Sequence, residues 1–135
     1  MAASSIEIAP AAAPIFEVEG PASIADLVRE LGNLPGVDGA IASTFDGFLV
    51  AGERLDGFSH QSFAAFGPQM FNRLLQYGRE LQLGEARSLT IYFDQKPIRL
   101  FQTGRLLVVI AGRGLEPLPD IQIEKLAAKL AQAKT

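Results

Sequence analysis

The run Leu106-Leu107-Val108-Val109-Ile110-Ala111 has no polar residue at any position. A strand with one wet face alternates apolar and polar side chains, so a run without alternation belongs in the middle of a sheet, covered on both faces. The remainder of the chain must therefore supply strand neighbours on either side and helices to lie above and below.

Those neighbours can be read in order. Ser23 can cap a helix in which Ile24, Leu27, Val28 and Leu31 recur at helical spacing, ending near Gly32. Leu34-Pro35-Gly36 turns the chain into a strand from Val37 to Phe45, and Asp46-Gly47 follows at once. Asp-Gly between two apolar runs predicts a tight hairpin with positive φ at both residues, and a returning strand over Phe48 to Gly52. After a loop from Glu53 to Phe58, Ser59 can cap a long helix reaching about Leu83, with Gly84 as its stop. Gly67-Pro68 falls inside that helix and predicts either a kink or a short turn followed by the main helix from Pro68.

Strands are expected over Arg87 to Phe93, Ile98 to Gln102 and Leu106 to Ala111, with turns at Asp94 to Pro97 and Thr103 to Arg105. A last helix begins near Asp120, with Ile123, Leu126, Ala127 and Leu130 on one stripe. The order α-β-β-α-β-β-β-α predicts a single α/β domain of the α+β type, a five-stranded antiparallel sheet with helices packed on it. Residues 1–20 are Ala/Pro-rich, with Pro10 and Pro14 breaking any regular element. They read as a flexible arm, with Ile15, Phe16 and Val18 as a segment able to dock, and the domain is expected over residues 21–134.

Charge and composition narrow the function classes. Twelve Lys and Arg against fifteen Asp and Glu, with the basic residues scattered, offer nothing to a phosphate backbone, so nucleic acid is not an expected partner. The chain has no cysteine, which excludes disulfides and thiolate metal sites. No run approaches the roughly 20 apolar residues that span a bilayer, and the first twenty residues lack a signal-peptide pattern. The expectation is a cytoplasmic protein without membrane insertion.

Candidate chemistry is sparse. His60, the single histidine, falls in the first turn of the long helix, where a solvated or capping role outweighs a catalytic one. No Gly-x-Ser-x-Gly elbow precedes a helix, and Gly112-Arg113-Gly114 lacks the Lys-Ser/Thr of a phosphate-binding loop. Asp46, Asp56, Asp94 and Asp120 do not follow a calcium-loop spacing. Arg73 and Arg79 are the candidates for an arginine supplied in trans to a phosphoryl transfer, and plain solvated charges are the commoner outcome. No enzyme, cofactor or metal is expected.

The informative element is the long helix. At about 100° per residue, Phe63, Phe66, Met70, Leu74, Tyr77 and Leu81 share one face, which predicts the core face. A second stripe, Ala64, Phe71 and Leu75 with Gly78, widens the apolar arc to roughly half the circumference and requires a partner of its own. A second copy about a two-fold axis would satisfy it. The strand over Arg87 to Phe93, with Leu89, Ile91 and Phe93, has no earlier neighbour for its outer edge and invites pairing with its symmetry mate. The expected dimer interface is Ala64, Phe71, Leu75, Gly78, Leu89, Ile91 and Phe93.

Leu34-Pro35-Gly36-Val37-Asp38-Gly39-Ala40, the Asp46-Gly47 hairpin, the long helix and the three-strand meander together resemble the roadblock family, also called the roadblock/dynein light chain family, over about residues 22–133. The resemblance implies a profilin-like sheet domain that forms a homodimer, with the second helices side by side on a sheet continued across both subunits. It further implies a regulator or scaffold of a Ras-like small GTPase, family members of this kind including activators of the GTPase that sets polarity in gliding cells. Carried onto this chain, the partner surface is the exposed side of the long helix, at Gln69, Asn72, Arg73, Gln76 and Glu80. Gly67-Pro68 departs from the family pattern, in which this helix is generally unbroken. Two other classes stay open at this point: a small-ligand sensor of the PAS or GAF kind, and a purely structural adaptor.

Overall fold

In the computed structural model, which describes residues 23–53, 60–114 and 117–133, the first helix starts where the sequence places its cap. Helix α1 spans Ile24–Gly32, and the Ser23 hydroxyl accepts from the Asp26 amide at 3.1 Å. Arg29 donates to the Asp26 carboxylate at 2.9 Å, and side-chain hydrogen bonds from Ser23 and Arg29 hold that carboxyl below its usual range. The expected arm, the Ser59 cap and residues 54–58 of the expected loop lie outside the described residues.

Strands β1 (Val37–Thr44) and β2 (Leu49–Glu53), helix α2 (His60–Glu80), strands β3 (Ser88–Phe93), β4 (Lys96–Thr103) and β5 (Leu106–Gly112), and helix α3 (Asp120–Gln132) complete the expected order. The five strands form one antiparallel sheet in the order β2-β1-β5-β4-β3. The apolar run is β5, third of five and buried at every residue. Its Leu106, Val108 and Ile110 pack with α1 and α3, and its Leu107, Val109 and Ala111 face the layer of α2. The chain crosses from one edge of the sheet to the other through α2, and among the described residues β2 and β3 each keep one unpaired edge.

Three local expectations need correction. Only Gly47 of the hairpin pair has positive φ, at +95°, while the Thr44 amide donates to the Phe48 carbonyl at 2.9 Å. The loop is thus Phe45-Asp46-Gly47, three residues closed by a left-handed glycine rather than a two-residue turn. Second, the turn expected at Asp94 to Pro97 contracts to Asp94-Gln95, with Asp94 at φ +58°. Pro97 lies within β4, where it pairs with Tyr92 one position before the first β4–β5 pair, Ile98 with Ala111. Third, α2 runs unbroken through Pro68 and stops at Glu80, three residues short of the expected end. Gln82 takes the left-handed position there (φ 59°), and the Leu83 amide reaches back to the Gly78 carbonyl at 2.8 Å, a helix-ending pair of turns that does not need a glycine.

Gly67 explains why a helix would carry Gly-Pro in its middle. A Cβ added there would stand 2.9 Å from Leu107 Cδ2, so the missing side chain is what lets α2 lie flush on the sheet. Ser43, in β1 opposite Leu107, is fully buried and its hydroxyl has no hydrogen-bond partner among the described residues. A buried, unpaired hydroxyl costs about 1–3 kcal/mol. Ser43→Ala is accordingly expected to raise the urea midpoint of unfolding, and a lowered midpoint would show that the hydroxyl is satisfied in solution.

Candidate docking face on the second helix

Which side of α2 meets the sheet decides what is left for a partner. Ala64, Gly67, Pro68 and Phe71 are the buried residues of the helix. Phe71 is 0% exposed and stacks at a tilt on Phe45, their ring centroids 6.4 Å apart. Phe63, Leu74 and Leu75 are half-buried at the margins of the same cluster.

The two stripes thus divide differently from the sequence-based expectation: Phe63 and Leu74 meet the core as expected, but the rest of their stripe does not. Phe66 (62% exposed), Met70 (38%), Tyr77 (50%) and Leu81 (67%), expected in the core, stand open to solvent. Ala64 and Phe71, expected at a dimer interface, are inside the protomer's own core. Half-buried Gly78 sits beneath the returning chain, where an added Cβ would meet the Gly84 carbonyl at 2.8 Å. The cause is steric. A helix approaches a sheet most closely along its smallest side chains, so Ala64 and Gly67 mark the contact line and the bulkier stripe is displaced to the flank. Had small residues been weighted over bulky ones, the same sequence would have pointed to the observed face.

The exposed flank is not a flat patch. Phe63, Phe66, Gly67 and Met70 form one wall of a groove of about 230 Å³, with Ile91 and Phe93 of β3 opposite and Ile98 and Leu100 of β4 as its floor. Leu89 and Ile91 are half-buried, while Tyr92 and Phe93 are exposed. Leu89, Ile91 and Phe93, the strand residues expected at an interface, therefore lie on the open edge strand β3, two of them bordering the groove.

On the outer side of α2, Gln69, Asn72, Arg73, Gln76 and Glu80 are all exposed, so the structure gathers the expected partner-facing residues onto one polar surface. Gln76 donates to Glu80 at 2.9 Å. Of the two arginines considered for a role in trans, Arg79 is engaged. Its guanidinium grips both oxygens of Glu85 at 3.1 and 3.3 Å, which raises the arginine pKa and lowers that of the carboxylate. Arg73 has no ion pair among the described residues.

His60 is half-buried and packs over Gly52, where an added Cβ would lie 2.6 Å from its Nδ1. Among the described residues no three His, Cys, Asp or Glu side chains cluster closely enough to hold a metal ion, and no helix is long and apolar enough to cross a membrane.

A sheet covered by two helices on one face and by a single helix with an exposed apolar flank on the other is an α+β domain. The chain belongs to the Roadblock/LC7 domain family, whose model matches residues 23–111. Among solved structures it is similar to MglB of Myxococcus xanthus (TM-score 0.72, 13% identity, 81% of this chain and 92% of that one). It is similar also to a Roadblock/LC7 domain from Streptomyces avermitilis (0.68, 16%, 82% and 94%). A third similar structure is the gliding protein MglB of Thermus thermophilus (0.68, 11%, 79% and 84%). At these identities the likeness is one of fold. No curated protein matches the chain by sequence.

Proposed function

We propose that the chain is a non-catalytic, homodimeric regulator or scaffold that binds a Ras-like small GTPase in the cytoplasm through the exposed polar face of α2. The observation that carries this reading is the apolar flank of Phe66, Met70, Tyr77 and Leu81 beside an open edge strand. Burying a large apolar side chain contributes about 1.5–3 kcal/mol, so four of them drive association once a complementary surface is met. A two-fold axis along β3 brings the same flank and the same edge from a second copy. The interface then comprises Phe66, Met70, Tyr77 and Leu81 with Leu89, Ile91 and Phe93 rather than Ala64 and Phe71.

The groove's size favours this occupant over a small ligand. About 230 Å³ with an apolar lining suits a side chain or two, whereas ligand pockets run to roughly 300–1,000 Å³ with convergent polar groups. Pairing the copies in this way leaves Gln69, Asn72, Arg73, Gln76 and Glu80 outward, as one continuous polar platform from two helices. Family membership supports a GTPase as the partner that lands there.

Pull-down with the small GTPases of the source organism, loaded with GDP or a GTP analogue, tests the reading. One of them is expected to be retained, and Arg73→Glu is expected to weaken that binding about tenfold or more by placing a like charge in a matched surface. The substitution should leave the unfolding midpoint unchanged. Retention of none in either nucleotide state removes the GTPase from the account.

A further inference from the structure

The sheet has two outer edges, and the dimer proposed above uses only that of β3. The other is β2, whose backbone presents a row of N–H and C=O groups with no strand beside them among the described residues. Leu49 and Val50 are exposed along it, and Phe48 is exposed at its start. An apolar edge of this kind draws in other chains, and natural folds cover it.

Helix α1 brings the preceding chain to that edge. Its last residue, Gly32, lies against Glu53 at the end of β2, where an added Cβ would stand 2.8 Å from Glu53 Cγ. Because the chain reverses at Leu34-Pro35-Gly36 into β1, and β1 is antiparallel to β2, α1 runs in the direction of β2. Ser23, which enters the helix with an extended backbone, therefore stands towards the Leu49 end. The chain before Ser23 lies outside the described residues. Within it, Ile15-Phe16-Glu17-Val18-Glu19 has the length of β2, is bounded by Pro14 and by Gly20-Pro21, and alternates Phe16 and Val18 with Glu17 and Glu19.

We propose that residues 15–19 form a sixth strand on the free edge of β2, antiparallel to it, with Gly20-Pro21-Ala22 as the connection into α1. Three residues is an ordinary length for a strand-to-helix connection. The hand of the connection fits as well. Antiparallel to β2, the segment is parallel to β1 and reaches it through α1. The alternation of antiparallel neighbours makes β2 and β3 parallel too, and these are joined through α2. Both crossovers travel the same way across the sheet, with strand direction and sheet face reversed together, so they share one hand, as parallel crossovers nearly always do. Phe16 and Val18 then share one face of a strand beside Leu49 and Val50, while Glu17 and Glu19 place charge on the new edge and discourage a further strand.

Amide hydrogen exchange with mass spectrometry on the full chain tests this, comparing wild type with Glu17→Pro and Val18→Pro. Consecutive amides of a strand point to opposite sides, so one of the two substitutions withdraws a donor from β2. In wild type, residues 15–19 are expected to exchange about tenfold or more slowly than residues 2–9, each corrected for its intrinsic rate. At least one variant is expected to speed exchange over residues 49–53 about tenfold, with residues 106–112 changing less than about twofold. Equal rates for residues 15–19 and 2–9 in wild type overturn the sixth strand. So does fast exchange over residues 49–53 in all three proteins, which is an open edge. Slow exchange there in all three that is lost on dilution assigns the edge to a second copy and overturns it equally. The experiment involves no GTPase and reads the edge opposite β3, so its result is separate from that of the pull-down.

Discussion

Phe71→Ala is expected to destabilise the chain by about 3–5 kcal/mol, the range for emptying a fully buried aromatic site. Phe71 is the largest side chain buried within the layer between α2 and the sheet, and it touches Phe45 at the far end of the first hairpin. Its removal opens a cavity over Ile41, Leu107 and Val109, whose strands are held in register by the sheet and cannot collapse to fill it. Against a typical total of about 5–15 kcal/mol, a loss of this size leaves a marginal fold. Urea unfolding measures it. A change below about 1 kcal/mol would mean that Phe71 is not packed beneath its own helix, and with it the assignment of the α2 faces would fall.

Charge on the opposite flank should act on assembly and spare the fold. Phe66→Glu or Tyr77→Glu places a carboxylate where the side chain is already half exposed or more in the single chain, at 62% and 50%. The monomer therefore tolerates it. In a two-fold dimer each substitution occurs twice, and both carboxylates must be desolvated in an apolar seam. Self-association is expected to weaken by about 100-fold or more, equivalent to about 2.7 kcal/mol. Far-ultraviolet circular dichroism should be unchanged. Retained association with either variant would place the interface elsewhere.

Most of the fold is legible in the sequence because its determinants are local or compositional. The unalternating run at β5 requires a central strand, the Ser23 cap and the apolar spacing of α1 require a helix, and the Leu-Pro-Gly and Asp-Gly turns require the first hairpin. What escapes the sequence lies in three dimensions. Helical periodicity shows that α2 has apolar stripes but not which of them meets the sheet. Size settles that question: Ala64 and Gly67 approach the sheet closely, Gly67 over Leu107, while Phe66 and Met70 cannot. The same logic reverses the meaning of Gly67-Pro68, a break by its composition and in the fold the line of contact with β5. Pro97 belongs to a turn by the rule that proline withdraws a ladder donor, yet it stands in β4 just before the pairing with β5 begins.

The outer residues Gln69, Asn72, Arg73, Gln76 and Glu80 are legible for a different reason. A polar run on a helix has only solvent or a polar partner to face, whichever apolar stripe is buried.

Both the proposed dimer and the proposed polar platform depend on the exposed flank of α2 being covered by a second copy of the chain. Sedimentation equilibrium of the wild-type protein at micromolar concentration measures this without any assumption about the partner. The expected result is a species of twice the 14.5 kDa chain mass. A well-folded species of single-chain mass throughout that range would contradict it.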